Sequence, residues 1–386
     1  VLKQFTFVFC GLLFAQGASA ADVVREAPVK TIQPYGFMRL DAIYNDSRFN
    51  HPHYPNYVLL TDSPQNEQHL HPRLSRLGID IKSGAVEGIS GLKLSGKLEI
   101  DFQNGGSESR QLIRMRHAYG EATLGSFSLL FGQSWQVASR LYPMANADSM
   151  MWGAGNAGDR SPQLRMTFQT GIGEFATITT EAAAMMPNSI DKKDVDGDKL
   201  LDGANAGVPA FQGRVAASIK GWTNAPIHLA AALHSSQDKV EGDKTYDSQG
   251  VFAEFSLPLI TNYTLRGEWF TGKNLSDVRA GIGQGVRSGN EINTTGFWGE
   301  FVAAPTPWLK LATGYGQDDP ARKDLVPTAD APARVLNTAT WAVAQVRPAD
   351  DFRVGLEYLR YETTWQADVK TKMQANRFNA HFTYFF

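Results

Sequence analysis

The chain has 386 residues, a formal net charge of −2, 42% hydrophobic residues and one cysteine. That charge balance leaves no electrostatic footprint for nucleic acid, and a lone cysteine excludes a disulfide framework. No run after residue 20 approaches ~18 consecutive apolar residues, which excludes a helical membrane protein.

Residues 1–20, VLKQFTFVFCGLLFAQGASA, place Lys3 before an apolar stretch from Phe5 to Phe14 and end in Ala18-Ser19-Ala20. A basic start, a short apolar core and an A-x-A cleavage site predict an export signal. The core is shorter than the roughly 20 residues a spanning helix needs. Cys10 lies inside the signal, so the mature chain, beginning near Ala21 with a short periplasmic segment over 21–33, is expected to contain no cysteine.

From residue 34 onward the sequence alternates. In GLKLSGKLEIDF, Leu92, Leu94, Leu98, Ile100 and Phe102 oppose Lys93, Ser95, Lys97, Glu99 and Asp101. Successive strand side chains point to opposite faces, so this segment has one apolar and one charged face. RLGIDIK, QLRMTF, FQGRVAASIK and RFNAHFTYFF repeat the pattern. Sixteen strands are predicted, over 34–45, 73–82, 91–103, 110–122, 126–134, 162–169, 174–186, 209–221, 226–236, 248–258, 262–271, 291–303, 307–316, 334–346, 351–362 and 374–386.

The connections between them alternate in length. Short turns such as GIGE, WTNAP and RPAD follow the even-numbered strands; long polar loops follow strands 1, 5, 7, 11 and 13. An even number of antiparallel strands with long loops on one side and short turns on the other predicts an all-β transmembrane barrel over 34–386, with extracellular loops and periplasmic turns. Closure satisfies every backbone N–H and C=O in lipid. Tyr119, Trp222, Trp269, Trp308, Tyr358 and Tyr384 fall near strand ends, as interfacial aromatic girdles do.

In such a barrel the apolar face meets lipid and the charged face lines the lumen. The expected pore-lining and selectivity residues include Arg39, Asp41, Lys97, Arg114, Arg116, Arg165, Arg214, Arg266, Arg353 and Arg377, with Lys93, Lys220 and Lys310 also inward. Rings of cationic side chains favour anions. Some cations are expected to pair across strands, for example Arg266 with Glu254. In LIRMRHAYGEA, turning Arg114 and Arg116 inward sends His117 outward into lipid, unless a bulge changes the phase.

The stretch at about 135–161, SWQVASRLYPMANADSMMWGAGNAGDR, mixes Leu141, Met144, Met150, Met151 and Trp152 with Arg140, Asp148, Asp159 and Arg160. A loop facing only water has no use for so many Met and Trp side chains, so it is expected to fold inward as a constriction loop. DKKDVDGDKLLDG, within the loop over 187–208, crowds Asp194, Asp196, Asp198 and Asp202, but counting from Asp194 the sixth position is Lys199 where a calcium loop needs Gly. It reads as a solvated loop, with a loose divalent site as the minor alternative. HSS (His234 to Ser236) lacks the spacing of a nucleophile and base set, and no G-x-S-x-G, H-E-x-x-H or phosphate loop is present. No enzyme activity, catalytic residue, metal or cofactor is expected.

MRHAYGEATLGSFSLLFGQSW, GNAGDRSPQLRM, GIGQGV and YGQDDP resemble the DcaP-type trimeric outer-membrane porins of Gram-negative bacteria, over roughly Tyr35 to Phe386. The resemblance implies a homotrimer in the outer membrane, embedded in the lipid bilayer and lipopolysaccharide, that passes small anionic solutes such as dicarboxylates. It also implies that Phe386, a terminal aromatic, is the signal read by the outer-membrane assembly machinery. Family members can carry a helical coiled-coil extension, whereas only about a dozen residues precede the first strand here, so trimer formation is expected to rest on the barrel wall. The sequence thus predicts a porin, a passive diffusion channel for small mono- and dicarboxylates. The alternatives are a barrel that mainly binds at the surface, as an adhesin or phage receptor, and a barrel hydrolase.

Overall fold

The structure is a computed structural model that describes residues 29–386 apart from 64, 85, 87, 108, 146–149, 188–198, 200–201 and 242–243. The export signal, most of the segment 21–33, Asp148 and most of the acidic loop lie outside the described residues.

Sixteen antiparallel strands form one sheet closed on itself. They are β1 (Val29–Asn45), β2 in two pieces (Glu67–His71 and Arg76–Ser83), β3 (Leu92–Asp101), β4 (Arg114–Leu124), β5 (Phe127–Trp135), β6 (Arg160–Ile172), β7 (Ala176–Met185) and β8 (Ala210–Ile219). The second half comprises β9 (Ile227–Glu241), β10 (Lys244–Ile260), β11 (Tyr263–Lys273), β12 (Asn293–Thr306), β13 (Leu309–Pro320), β14 (Ala333–Ala349), β15 (Phe352–Gln366) and β16 (Lys370–Phe385). Each pairs with its neighbours in sequence. β1 closes the ring against β16, from Phe37 opposite Phe385 to Asn45 opposite Arg377. Gly36 and Phe386 extend that seam by exchanging two backbone hydrogen bonds, of 3.1 and 3.2 Å.

The wall is inside out relative to a water-soluble protein. Along β1, Met38 and Leu40 are 56% and 40% exposed while Arg39 and Asp41 between them are 6% and 1% exposed. The same alternation places Leu129, Phe131, Leu164, Met166, Leu229, Leu233, Leu311, Leu356, Phe378 and Phe382 outward, as lipid requires.

Two irregularities adjust the wall. Pro72 has no N–H to donate, and the gap between the two pieces of β2 carries one extra residue against β1. The Ser75 hydroxyl fills that gap, accepting from the Arg39 N–H (2.9 Å) and donating to the Arg39 carbonyl (3.2 Å). In β4 the register slips between Glu99 opposite His117 and Ile100 opposite Met115, leaving Arg116 as the extra residue of a bulge. Arg116 and His117 are therefore both buried on the inner side, and His117 does not meet lipid. The phase change also turns Tyr119, opposite Lys97, to the lumen and takes it out of the aromatic girdle.

β9 and β10 run on well past their apolar parts, so the predicted loop between 236 and 248 is a hairpin whose strands continue to Glu241 and Lys244. Long connections follow β1, β5, β7, β11 and β13, and three of them fold into the barrel. Phe49 and Val58 from 46–66, and Met151 and Ala154 from 136–159, pack on Trp298, Trp341, Leu359 and Tyr361 of the wall. Leu275, Val278 and Ala280 from 274–292 pack with Ala138, Ala157, Phe252 and Phe270.

Candidate functional site

The inner face of the wall is a lattice of ion pairs. Arg39 bonds Asp41 through two nitrogens (2.7 and 2.6 Å), Arg114 and Arg116 converge on Asp101 (2.6 and 2.8 Å), and Arg116 also bonds Glu99 (2.7 Å). Arg214 joins Glu181 (3.2 Å) to Glu254, and Arg165 approaches Glu181 at 3.8 Å. Arg266 pairs with Glu300 (2.7 Å), which stands opposite it in the ladder; the pairing expected with Glu254 does not form. Lys97 bonds Asp80 (2.8 Å) and the Tyr35 hydroxyl (2.9 Å). The Arg353 guanidinium lies over the Phe385 ring at 5.0 Å. Arg377 is buried and donates to the carbonyls of Pro52 (2.8 Å) and His53 (2.9 Å), so it holds the first inward loop. Lys93, Lys220 and Lys310 are exposed at the short-turn end.

The pairs are layered. In Arg266–Glu300 the arginine side chain is 25% exposed and the glutamate 0%; in Arg114–Asp101 the values are 21% and 0%; in Arg140–Glu181 they are 28% and 5%. The carboxylates sit against the wall and the guanidiniums stand in front of them. Lys97–Asp80 reverses that order, and in Arg39–Asp41, Arg116–Glu99 and Arg214–Glu181 both partners are buried.

Gln212 of β8 accepts from the N–H groups of Val137 (2.9 Å) and Ala138 (3.0 Å) in the loop over 136–159. Glu254 of β10 accepts from Arg140 (3.2 Å), Glu268 of β11 from Leu141 (3.0 Å), and Glu300 of β12 from Met144 (2.9 Å). Farther on, Asn337 of β14 donates to the Gly153 carbonyl at 2.6 Å. Wall side chains thus grip the loop by its backbone as it crosses the lumen. Asp159 and Arg160 are both buried at the root of the loop: Asp159 accepts from Arg279 (2.8 Å), and Arg160 lies over Trp135 at 4.6 Å.

Between this loop and the wall lies a cavity of about 470 Å3. Arg39, Arg76, Arg116, Arg266 and Arg353 line it, with Glu99, Glu357 and His381. Tyr142, Pro143, Met144 and Met150 form its loop side. Arg76 and Tyr142 were not anticipated as site residues. Arg76 follows the parity of Gly78, Asp80 and Lys82 and was readable from it, whereas nothing in the sequence indicates which loop residue meets the wall.

His234, Ser236, Ser248 and Asp277 form a buried cluster where the 274–292 loop meets β9 and β10. The Ser236 hydroxyl and His234 Nε2 both contact Asp277 Oδ2 (2.6 and 3.0 Å), and Gln212 reaches His234 Nδ1 (3.1 Å). A catalytic triad needs acid and nucleophile on opposite imidazole nitrogens. Here both meet one nitrogen, an arrangement that clamps the loop. Among the described residues no group of three or more His, Cys, Asp or Glu side chains is arranged to hold a metal ion.

No family model and no curated protein matches the sequence. Solved structures do. The outer-membrane channel DcaP of Acinetobacter baumannii aligns with a TM-score of 0.75 at 18% identity, covering 94% of this chain and 98% of that one. The anion-selective porin from Comamonas acidovorans aligns with a TM-score of 0.62 at 13% identity, covering 92% and 99%. OmpT of Vibrio cholerae in its trimer form gives 0.56 at 13%, covering 92% and 99%. The chain therefore has the DcaP-type fold that its motifs suggested, and its architecture is that of a multi-pass outer-membrane β-barrel.

Proposed function

We propose that this barrel is a porin, a passive diffusion channel through which small hydrophilic solutes cross the outer membrane, with a preference for carboxylate anions. The layering of the ion pairs carries the reading. A solute passing between loop and wall meets guanidiniums, while the acids that balance them are buried behind, so the field at the water-facing surface is positive although the chain as a whole is not. Arg76, Arg114, Arg140, Arg266 and Arg353 supply that surface, Arg39, Arg116, Arg165 and Arg214 lie buried behind it among the acids, and the loop over 135–161 sets the size limit as the constriction. The likeness to the anion-selective porin from Comamonas acidovorans supports the same reading.

Assembly as a homotrimer, in contact with lipopolysaccharide, belongs to the proposal and is supported by the likeness to a barrel solved in a trimer form. Native mass spectrometry in detergent tests it, and a monomer would remove it. Reversal potentials across planar bilayers under a potassium chloride gradient test the channel. Chloride is expected to permeate better than potassium. Potassium preference would remove the anion claim. A barrel that only displays its loops to a partner would carry no current.

A further inference from the structure

The cavity between loop and wall is two-sided. Its wall side carries the guanidiniums of Arg39, Arg76, Arg116, Arg266 and Arg353. Its loop side carries Tyr142, Pro143, Met144 and Met150, with no charge among them. Tyr142 leaves half of its surface open to water, at 50% exposure, in a lumen where most large side chains are covered. It is not loose, since its ring stacks near-parallel on Trp135 at 6.2 Å and 26°. That indole in turn carries the Arg160 guanidinium at 4.6 Å, and both rings of the stack line the cavity. Two of the wall cations are themselves backed by rings, Arg76 over Phe37 at 5.1 Å and Arg353 over Phe385 at 5.0 Å.

A short aliphatic dicarboxylate has charge at both ends and nothing to place against Tyr142 and the two methionines. An anion with a flat apolar body and one carboxylate satisfies both sides together: its carboxylate takes a guanidinium and its ring lies against the tyrosine, in the offset or edge contacts that aromatic pairs prefer. The cavity volume of about 470 Å3 is within the range that holds small organic molecules, about 300–1,000 Å3. We propose that the constriction is an affinity site for aromatic monocarboxylates of the benzoate class, with Tyr142 as the specificity-determining residue and Met144 and Met150 as the adaptable apolar surface beside it.

This inference rests on the porin reading, and one experiment separates the two. The purified protein is reconstituted in a planar bilayer in potassium chloride, and interruption of the chloride current is recorded with benzoate and with propionate, which match in charge. Benzoate is expected to block on the order of 2- to 10-fold more tightly than propionate, the span that one aromatic contact contributes. Tyr142→Ala should bring the two anions level, and Tyr142→Phe should keep them apart. A chloride current that both anions block alike overturns the aromatic site and leaves the channel standing. Equal discrimination in wild type and Tyr142→Ala overturns the role of the tyrosine. A membrane with no current removes the porin reading itself.

Discussion

Glu300 shows how much one lumen carboxylate does. It accepts from Arg266 (2.7 Å), from the Trp341 indole N–H (2.9 Å) and from the Met144 backbone N–H (2.9 Å), so it neutralises the pore cation, orients the wall aromatic and fixes the loop. Glu300→Gln keeps an acceptor but removes the charge, leaving Arg266 uncompensated; reversal potentials should then show a higher chloride-to-potassium ratio, and an unchanged ratio would refute the layered-charge reading. Glu300→Ala leaves the Trp341 indole and the Met144 N–H without their acceptor and should cost about 1–3 kcal/mol, read as lower resistance to denaturant. The inward position of Arg266 was legible from alternation, but its partner was not, because pairing follows ladder register and Glu254 is committed to Arg214 and the Arg140 N–H. The first inward loop supplies a pH test. Burial, with Arg73 and Arg377 nearby, pushes His51 down to about 4; burial, with His71 and Arg73, pushes His53 down to about 2. His53 also stacks edge-on with His69 at 4.8 Å and His71 at 4.5 Å. Both imidazoles bind protons more readily once released, so the packing is whole above about pH 6.5 and weakens as pH falls toward the folded values. The hydrogen-exchange protection factor of Val58, whose N–H donates to the Thr363 hydroxyl at 2.8 Å, should fall between pH 7 and pH 5. Exchange that changes no more than the intrinsic chemical rate would refute this.

Among the elements, the wall strands were easy to read and the inward loops hard, for one physical reason. A strand in lipid must alternate, and alternation is visible residue by residue. A loop inside a lumen needs only enough apolar side chains to cover its inner surface, as Phe49, Val58, Leu275, Val278 and Ile292 do from otherwise polar segments. The long upper halves of β9 and β10 were missed because beyond the lipid both faces are polar and the period of two disappears. The bulge in β4 was legible only as a conflict, since two cations and a histidine cannot all face inward on a regular strand. Backbone fit is equally strict where the loop touches the wall. Gly155 has φ +96°, and a Cβ there would overlap the carbonyl oxygen of Phe297, while one on Gly316 would overlap that of Ala154. Gly155→Ala should push the loop off β12 and β13 and change the unit conductance. An identical conductance would mean that this contact does not set the aperture.

For the whole molecule, closure supplies what covalent links do not. Every strand has two neighbours, so the sheet has no free edge to recruit another chain. At the seam Phe386 and Gly36 exchange two hydrogen bonds and Phe37 meets Phe385 edge-on at 5.7 Å. Deleting Phe386 should lower the yield of heat-modifiable barrel on gels while the barrels that do form keep their ion selectivity; an undiminished yield would show that neither the seam nor assembly needs it. The crossing loop has a different kind of security. From Val137 to Met144 the wall grips it largely through its N–H groups, which any residue except proline provides. A side chain there that takes no part in the grip, such as that of Tyr142, is therefore an exchangeable part. Tyr142 can be replaced without re-routing the chain, so one barrel can be refitted for a different cargo by changing a lumen-facing residue of a single loop.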